Sequence, residues 1–347
     1  MNTNKAEFGR LAKDKVASLY TMENKNGMKV VLSDYGASII NIFVKDKDDK
    51  LVDVALGHLS FEQYKTNPGN LGCVVGRNAN RIKDGKVIID DIDYQLEQND
   101  GKNNLHTGKA GLHTTLFTTE TTDNDVTFYT TVNDLEDGFP GNLNVEVRYT
   151  LTEDNELRIY YQATSDQDTV VNITNHNYFN LNGQDESNIY NHQLEIDADF
   201  FSPNSSESIP TGEILKVEKT PFDFKQLKSL ETPLASSEQQ ITMFGGIDHN
   251  FMLNETGFRK VATLYNPENK ILLDISTDRN AMHVYTANHF PDTDTINKNN
   301  LTYPLHGGIA FETQSVPNAL NMPWLKSPLL KAHEVYQTTT SFKFSVK

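Results

Sequence analysis

Hydrophobic and polar residues alternate with a period of two in short runs that recur along this chain, broken by Asn, Asp and Gly. Alternation places successive side chains on opposite faces of an extended backbone and marks half-buried strands. Such runs occur at 29–45, 86–96, 125–132, 143–151 and 157–164, then at 192–201, 270–278 and 282–288. In the C-terminal run VYQTTTSFKFSVK, Tyr336, Thr338, Thr340, Phe342, Phe344 and Val346 share one face, and Gln337, Thr339, Ser341, Lys343 and Ser345 the other. The stretches DNEL (154–157) and NPENK (266–270) read as hairpin turns. Helical periodicity is scarce: 60–66 and 223–230 each predict two turns, and 5–13 a terminal helix. No linker, charge block or repeat divides the chain, so residues 1–347 are expected to form one all-β domain. Its expected architecture is a large antiparallel β-sandwich with a core between stacked sheets and loops along one side free to carry a site.

Composition narrows the function classes. The charge of 31 − 47 = −16 argues against nucleic-acid and anionic-membrane partners. Hydrophobic residues make up 37 % of the chain, and no window approaches a membrane span. The first thirty residues mix charges throughout and lack the apolar stretch of a signal peptide, so a cytoplasmic protein is expected. Four Asn-x-Ser/Thr triplets, at Asn172, Asn204, Asn254 and Asn300, are then read as chance in an Asn-rich sequence. Cys73 is the single cysteine, in the apolar run LGCVVG, and is expected to be a small buried hydrophobe. No disulfide or cysteine zinc site can form within one chain.

The signatures of nucleotide-binding loops, serine hydrolases and zincins are absent; His333-Glu334 opens like a zincin motif but lacks its second histidine. No two of the ten histidines stand at ligand spacing, and His283 and His289, six apart in an expected strand, lie roughly 20 Å from one another. No metal is expected.

What stands out instead is TNHNYFNLN (174–182). As a strand it turns Asn172, Thr174, His176 and Tyr178 to one polar face with an aromatic rim, suited to a wet pocket. By itself the window also reads as a half-exposed strand with a satisfied histidine. Other conspicuous polar residues stand in GRNANRI (Asn80, Arg81), NNLHTGKAG (His106), DGFPGNL, GGIDHNF (Asp248) and HGGIAFETQSVPNALN (Glu312). Singly, Arg81 could be a surface ion-pair partner, His106 a solvated loop residue and Asp248 a turn residue. Glu312 resists such a reading, because a carboxylate in an apolar strand needs partners.

Taken in order, these motifs, with the opening NGMKVVLSDYGASIINIFVKDKDDKLVDVALGH, resemble the aldose 1-epimerase (galactose mutarotase) family along nearly the whole chain. The resemblance implies a supersandwich fold. It also implies an enzyme that interconverts the α and β anomers of a free sugar such as galactose or glucose by ring opening and reclosure, with no cofactor. It maps the general base onto Glu312 and the general acid onto His176, and sugar contacts onto Asn80, Arg81, His106, Tyr178 and Asp248. His283 stands where many relatives have glutamine, Ala287 where they have glycine, and Phe117 where tryptophan is usual. His283 is therefore expected to contact sugar hydroxyls and alter sugar preference. A hexose 6-phosphate epimerase, an epimerase of a disaccharide such as maltose and a non-catalytic sugar-binding module are the alternatives. The expected partner is a small sugar, and the expected assembly a monomer or homodimer.

Overall fold

The computed structural model describes residues 3–184, 187–290 and 295–347. Within them the named strand pairs are all antiparallel, and three sheets carry the architecture. A five-stranded meander runs from Asn4–Ala12 through Lys15–Glu23, Lys29–Ser33 and Ser38–Lys45 to Leu51–Asp53. A nine-stranded sheet has Glu156–Ser165, Val335–Val346 and Ile271–Thr277 at its middle. A six-stranded sheet is ordered Tyr178–Phe179, Ile309–Gln314, Ala281–Tyr285, Asp248–Leu253, Ala198–Ser202 and Leu215–Lys216.

Alternation in sequence becomes alternation in burial. In Leu143–Leu151 every second residue is buried, and Val145, Val147 and Tyr149 enter the core. In Val335–Val346 the expected inner face is buried at Thr338, Thr340, Phe342 and Phe344, and it frays to exposure at Val346. One apolar cluster joins the three sheets: Val30 and Ile42 from the meander, Phe128, Val147 and Phe342 from the nine-stranded sheet, and Phe179, Phe251 and Phe311 from the six-stranded one. Tyr149 Oη ties two of these sheets by donating to the Ala37 carbonyl at 2.7 Å. The turns at 154–157 and 266–270 close hairpins as expected, with Asn155 and Lys270 at positive φ.

Several local expectations are corrected. Residues 5–13 form the edge strand Asn4–Ala12, because pairing with Lys15–Glu23 satisfies their backbone where a two-turn helix could not. Residues 223–230 make bends and the two-residue strand Lys228–Ser229; helices form just after, at Glu231–Leu234 and Gln239–Phe244. The run 192–201 splits at Asp197, sending Gln193–Ile196 and Ala198–Ser202 to different sheets. The helix at 60–66 is present as Phe61–Thr66, entered through a capping box at Ser60 and Gln63. Cys73 is buried. No helix among the described residues is long and apolar enough to cross a membrane.

Candidate active site

The six-stranded sheet has two unlike faces. Phe179, Ile309, Phe311, Val284, Met282 and Phe251 enter the core from one of them. The intervening residues form the other, and register places them in rows across the strands. Tyr178 pairs with Ala310, Ala310 with Tyr285 and Tyr285 with Asp248; one step along, Glu312 pairs with His283 and His283 with Asn250. Side chains at directly opposed positions stand about 5 Å apart, so antiparallel register alone gathers two carboxylates, an imidazole and two phenols.

Two further segments close over this face. His176 follows the two-residue strand Thr174–Asn175, which pairs with Val74–Val75, and precedes Tyr178–Phe179, which belongs to the six-stranded sheet. The expected single strand is therefore two short bridges in different sheets, and the whole run from Val171 to Leu181 is buried rather than half-exposed. The second segment is the pairing of Arg81–Ile82 with Asn104–Leu105. The Asn80 N–H donates to His106 Nδ1 at 3.1 Å, and the His106 N–H donates to the Asn80 carbonyl at 3.2 Å. With Nδ1 an acceptor, the His106 proton resides on Nε2. Burial, followed by the neighbouring His176, His113, Arg81 and His283, pushes the His106 titration well below the ordinary imidazole range. His106 is a buried neutral donor, not a solvated loop residue.

All eight residues expected at the site (Asn80, Arg81, His106, His176, Tyr178, Asp248, His283 and Glu312) line one cavity of about 280 Å³. At its floor His176 Nε2 lies 3.5 Å from Glu312 Oε1, with both side chains almost wholly buried. Glu312 Oε2 and His176 Nδ1 have no protein partner. On the wall His283 Nε2 meets Asp248 Oδ1 at 2.7 Å. Burial raises the Asp248 titration, but the His283 hydrogen bond and the neighbouring His283 and Arg81 outweigh it and hold the carboxyl well below its usual range. Arg81 Nε bonds Asp100 Oδ2 at 2.7 Å, so it forms the ion pair its sequence context suggested and lines the cavity as well. The His106 and His176 rings meet edge-on at 5.2 Å, and Tyr178 packs 5.0 Å from His176.

Sequence reasoning missed Asn70, Tyr285, His289 and Phe290, which also line the cavity, as do Gly69, Leu105 and Ser208. Tyr285 carried a signal, since it stands two residues from His283 on one strand. Phe290 and His289 follow the strand end at Tyr285, so the extended spacing assumed for His283 and His289 does not apply. Phe117 packs in the core against Phe128 and stays out of the cavity. Ala287 is buried beside Tyr178 and Phe290 with φ of 51°, a conformation for which glycine is the easier residue. Among the described residues, His106, His176 and Glu312 bring one potential ligand atom each within 4.8 Å of one another, a cluster that sequence spacing did not foresee.

The sequence profile of the aldose 1-epimerase family matches residues 18–343. The chain belongs to the aldose 1-epimerase family. It is 40 % identical over 320 residues to galactose mutarotase of Mus musculus, covering 92 % of each chain. It is 36 % identical over 329 residues to aldose 1-epimerase of Haemophilus influenzae, covering 94 % of this chain and 95 % of that one. Two solved structures of family members superpose closely. The galactose 1-epimerase of Lactobacillus acidophilus gives a TM-score of 0.86 at 30 % identity, covering 100 % of this chain and 99 % of that one. The aldose epimerase homologue of C. elegans gives 0.88 at 27 %, covering 95 % and 99 %. The aldose 1-epimerase fold is thus the sandwich described above.

Proposed function

We propose that this chain, acting as a single domain, interconverts the α and β anomers of a free aldohexose, with Glu312 as base and His176 as acid. The observation that carries the reading is the Glu312–His176 pair at the floor of a cavity of about 280 Å³. That volume lies just below the roughly 300–1,000 Å³ range of small-molecule sites and suits one sugar ring better than two. The anomeric hydroxyl oxygen O1 and the ring oxygen O5 share carbon C1, so an acid and a base serving them must stand close together.

Glu312 takes the O1 proton, the O1 electron pair forms the C1=O1 carbonyl, and the C1–O5 bond breaks. Its electrons leave on O5, which accepts the proton of His176. Rotation about C1–C2 presents the other carbonyl face. O5 then attacks C1 as its proton returns to His176, and O1 recovers a proton from Glu312. The two groups exchange acid and base roles and finish as they began. Asp248 and the neutral His106 offer an acceptor and a donor for hydroxyls, and Tyr178 offers a ring to the apolar face of the sugar.

The cation inventory favours a free sugar over a sugar phosphate. Arg81 is the one Lys or Arg lining the cavity among the described residues, and Asp100 already engages it. Arg77 is buried against Asp137, while Lys109 is 91 % exposed beside Glu97. A sugar-binding module, for its part, has no use for an acid–base pair across C1.

Polarimetry of freshly dissolved α-D-galactose and α-D-glucose tests the proposal. Purified protein should speed equilibration beyond buffer alone, and an unchanged rate at every protein concentration would refute it.

A further inference from the structure

The motif DGFPG (137–141) touches none of the reacting groups, yet it surrounds a side chain from the segment that carries Asn80 and Arg81. Arg77 and Asp137 are fully buried, with Arg77 Nε 2.9 Å from Asp137 Oδ2. Arg77 Nη1 donates to the carbonyls of Pro140 at 2.8 Å and Gly141 at 3.1 Å and to Thr169 Oγ1 at 3.0 Å. Gly138 and Gly141, at φ of 86° and 83°, let the turn bend its carbonyls toward the guanidinium. Asp137 Oδ1 accepts the Phe139 N–H, so the turn is braced on its own carboxylate.

The backbone leaving Arg77 is bonded on two sides. Toward the strand that leads to His176, the Arg77 carbonyl accepts the Asn172 N–H at 2.8 Å, and the Ala79 N–H donates to the Asn172 carbonyl at 2.7 Å. Toward the His106 turn, the Asn78 N–H donates to Thr107 Oγ1 at 2.9 Å, and Asn80 and His106 exchange the two bonds described above. Asn80, His106 and Thr107 all have positive φ, at 64°, 51° and 74°. For a β-branched threonine that conformation is strained, and it persists only where the surroundings over-determine it. A buried guanidinium with four acceptors on two separate segments supplies such a constraint.

We propose that the Arg77–Asp137 pair is a positioning device for sugar binding. It clamps the 77–81 segment to the DGFPG turn and so fixes Asn80 and His106 at the cavity wall. The proposal rests on the sugar-contact roles given to Asn80 and His106 above. Loss of the clamp moves binding groups while leaving Glu312, on a different sheet, in place. The effect should therefore fall on KM.

The test is a double-mutant cycle in the full-length protein, read as kcat and KM for α-D-galactose well below the melting temperature of each variant. Asp137→Asn, with a native circular dichroism spectrum, should raise KM about tenfold, because small misplacements of binding groups are costly. Its kcat should stay within about threefold of wild type. Simple destabilisation would lower the active fraction, hence apparent kcat, and leave KM unchanged. His106→Ala should also raise KM, and adding Asp137→Asn to it should raise KM further by clearly less than the tenfold expected in the wild-type background, because only the Asn80 part of the clamped wall is left to displace. An unchanged KM in Asp137→Asn, or effects of the two changes that multiply, overturns the clamp. An unchanged KM in His106→Ala overturns the reading of the wall and the clamp together. If Asp137→Asn does not fold, Thr169→Val, which removes one guanidinium acceptor, should raise KM about threefold, and an unchanged KM there also overturns the proposal.

Discussion

A carboxylate and an imidazole 3.5 Å apart, both shut away from solvent, are costly for a protein to keep unless they are used. Replacing either should therefore separate activity from folding. Glu312→Gln and His176→Asn should each lower kcat by at least about 10² with an unchanged circular dichroism spectrum, and near-normal mutarotation in either variant would show the roles to be misassigned. His283 calls for a different measurement. Glutamine there can still donate to Asp248 but carries no charge, so His283→Gln should change the galactose-to-glucose ratio of kcat/KM by at least about threefold. An unaltered ratio would remove His283 from sugar selection. That the eight residues named from the sequence share one cavity was legible there, because ordered motifs carried them even where each residue had a plain structural reading. Phe290 was not, since it lies beyond the strand end at Tyr285 and its convergence on the cavity depends on where that strand stops; Tyr285, two residues from His283, could have been found. The Asp137–Arg77 contact was equally hidden, 60 residues apart and without periodicity.

Elements long enough to alternate were readable from composition, and short ones were not. The strands at 125–132 and 143–151 appear with the bounds their patterns gave. Residues 5–13 and 223–230 went to helix because a two-turn amphipathic pattern has no periodicity that long-range pairing cannot override. The 174–182 window failed differently. A two-residue bridge to each of two sheets leaves no local trace, yet that split turns His176 toward Glu312. Phe179, on the second bridge, packs 4.9 Å from Phe342 of the nine-stranded sheet and 6.4 Å from Phe311 of its own. Phe179→Ala should cost about 3–5 kcal/mol of stability through the cavity it leaves. Urea unfolding followed by far-ultraviolet circular dichroism measures this, and a loss below about 1 kcal/mol would mean that the sheets are held together elsewhere.

Across the whole molecule, buried histidines contribute to the response to acid. His192 Nε2 accepts the Leu181 N–H at 2.8 Å, and its Nδ1 bonds Asn191 Oδ1 at 2.9 Å. His249 Nδ1 accepts the Asp248 N–H, and its Nε2 bonds Gln240 Oε1. Each ring is neutral with one nitrogen committed as an acceptor, and burial pushes each titration down to about 3. The unfolded chain therefore binds more protons than the folded one between roughly pH 6.5 and 3, so stability falls as pH falls through that window. Each histidine contributes up to about 1.4 kcal/mol per pH unit. His192→Gln should make the plot of unfolding free energy against pH between 6 and 4.5 shallower by roughly 1 kcal/mol per unit. Equal slopes in the two proteins would show that His192 is not held neutral.

The strand alternation that builds the site also limits how it can change. On Asp248–Leu253, Ala281–Tyr285 and Ile309–Gln314, Asp248, His283, Tyr285 and Glu312 face the cavity, while Phe251, Met282, Val284, Ile309 and Phe311 enter the packed interior. A laboratory search for new sugar preference can thus vary His283 and Tyr285 together while leaving Phe251, Val284 and Phe311 untouched. Insertion or deletion of a single residue within any of these strands would exchange the two sets, delivering core side chains to the ligand and polar ones to the core. Diversification of this pocket is therefore expected to proceed by substitution within strands, with changes in length confined to the surrounding loops.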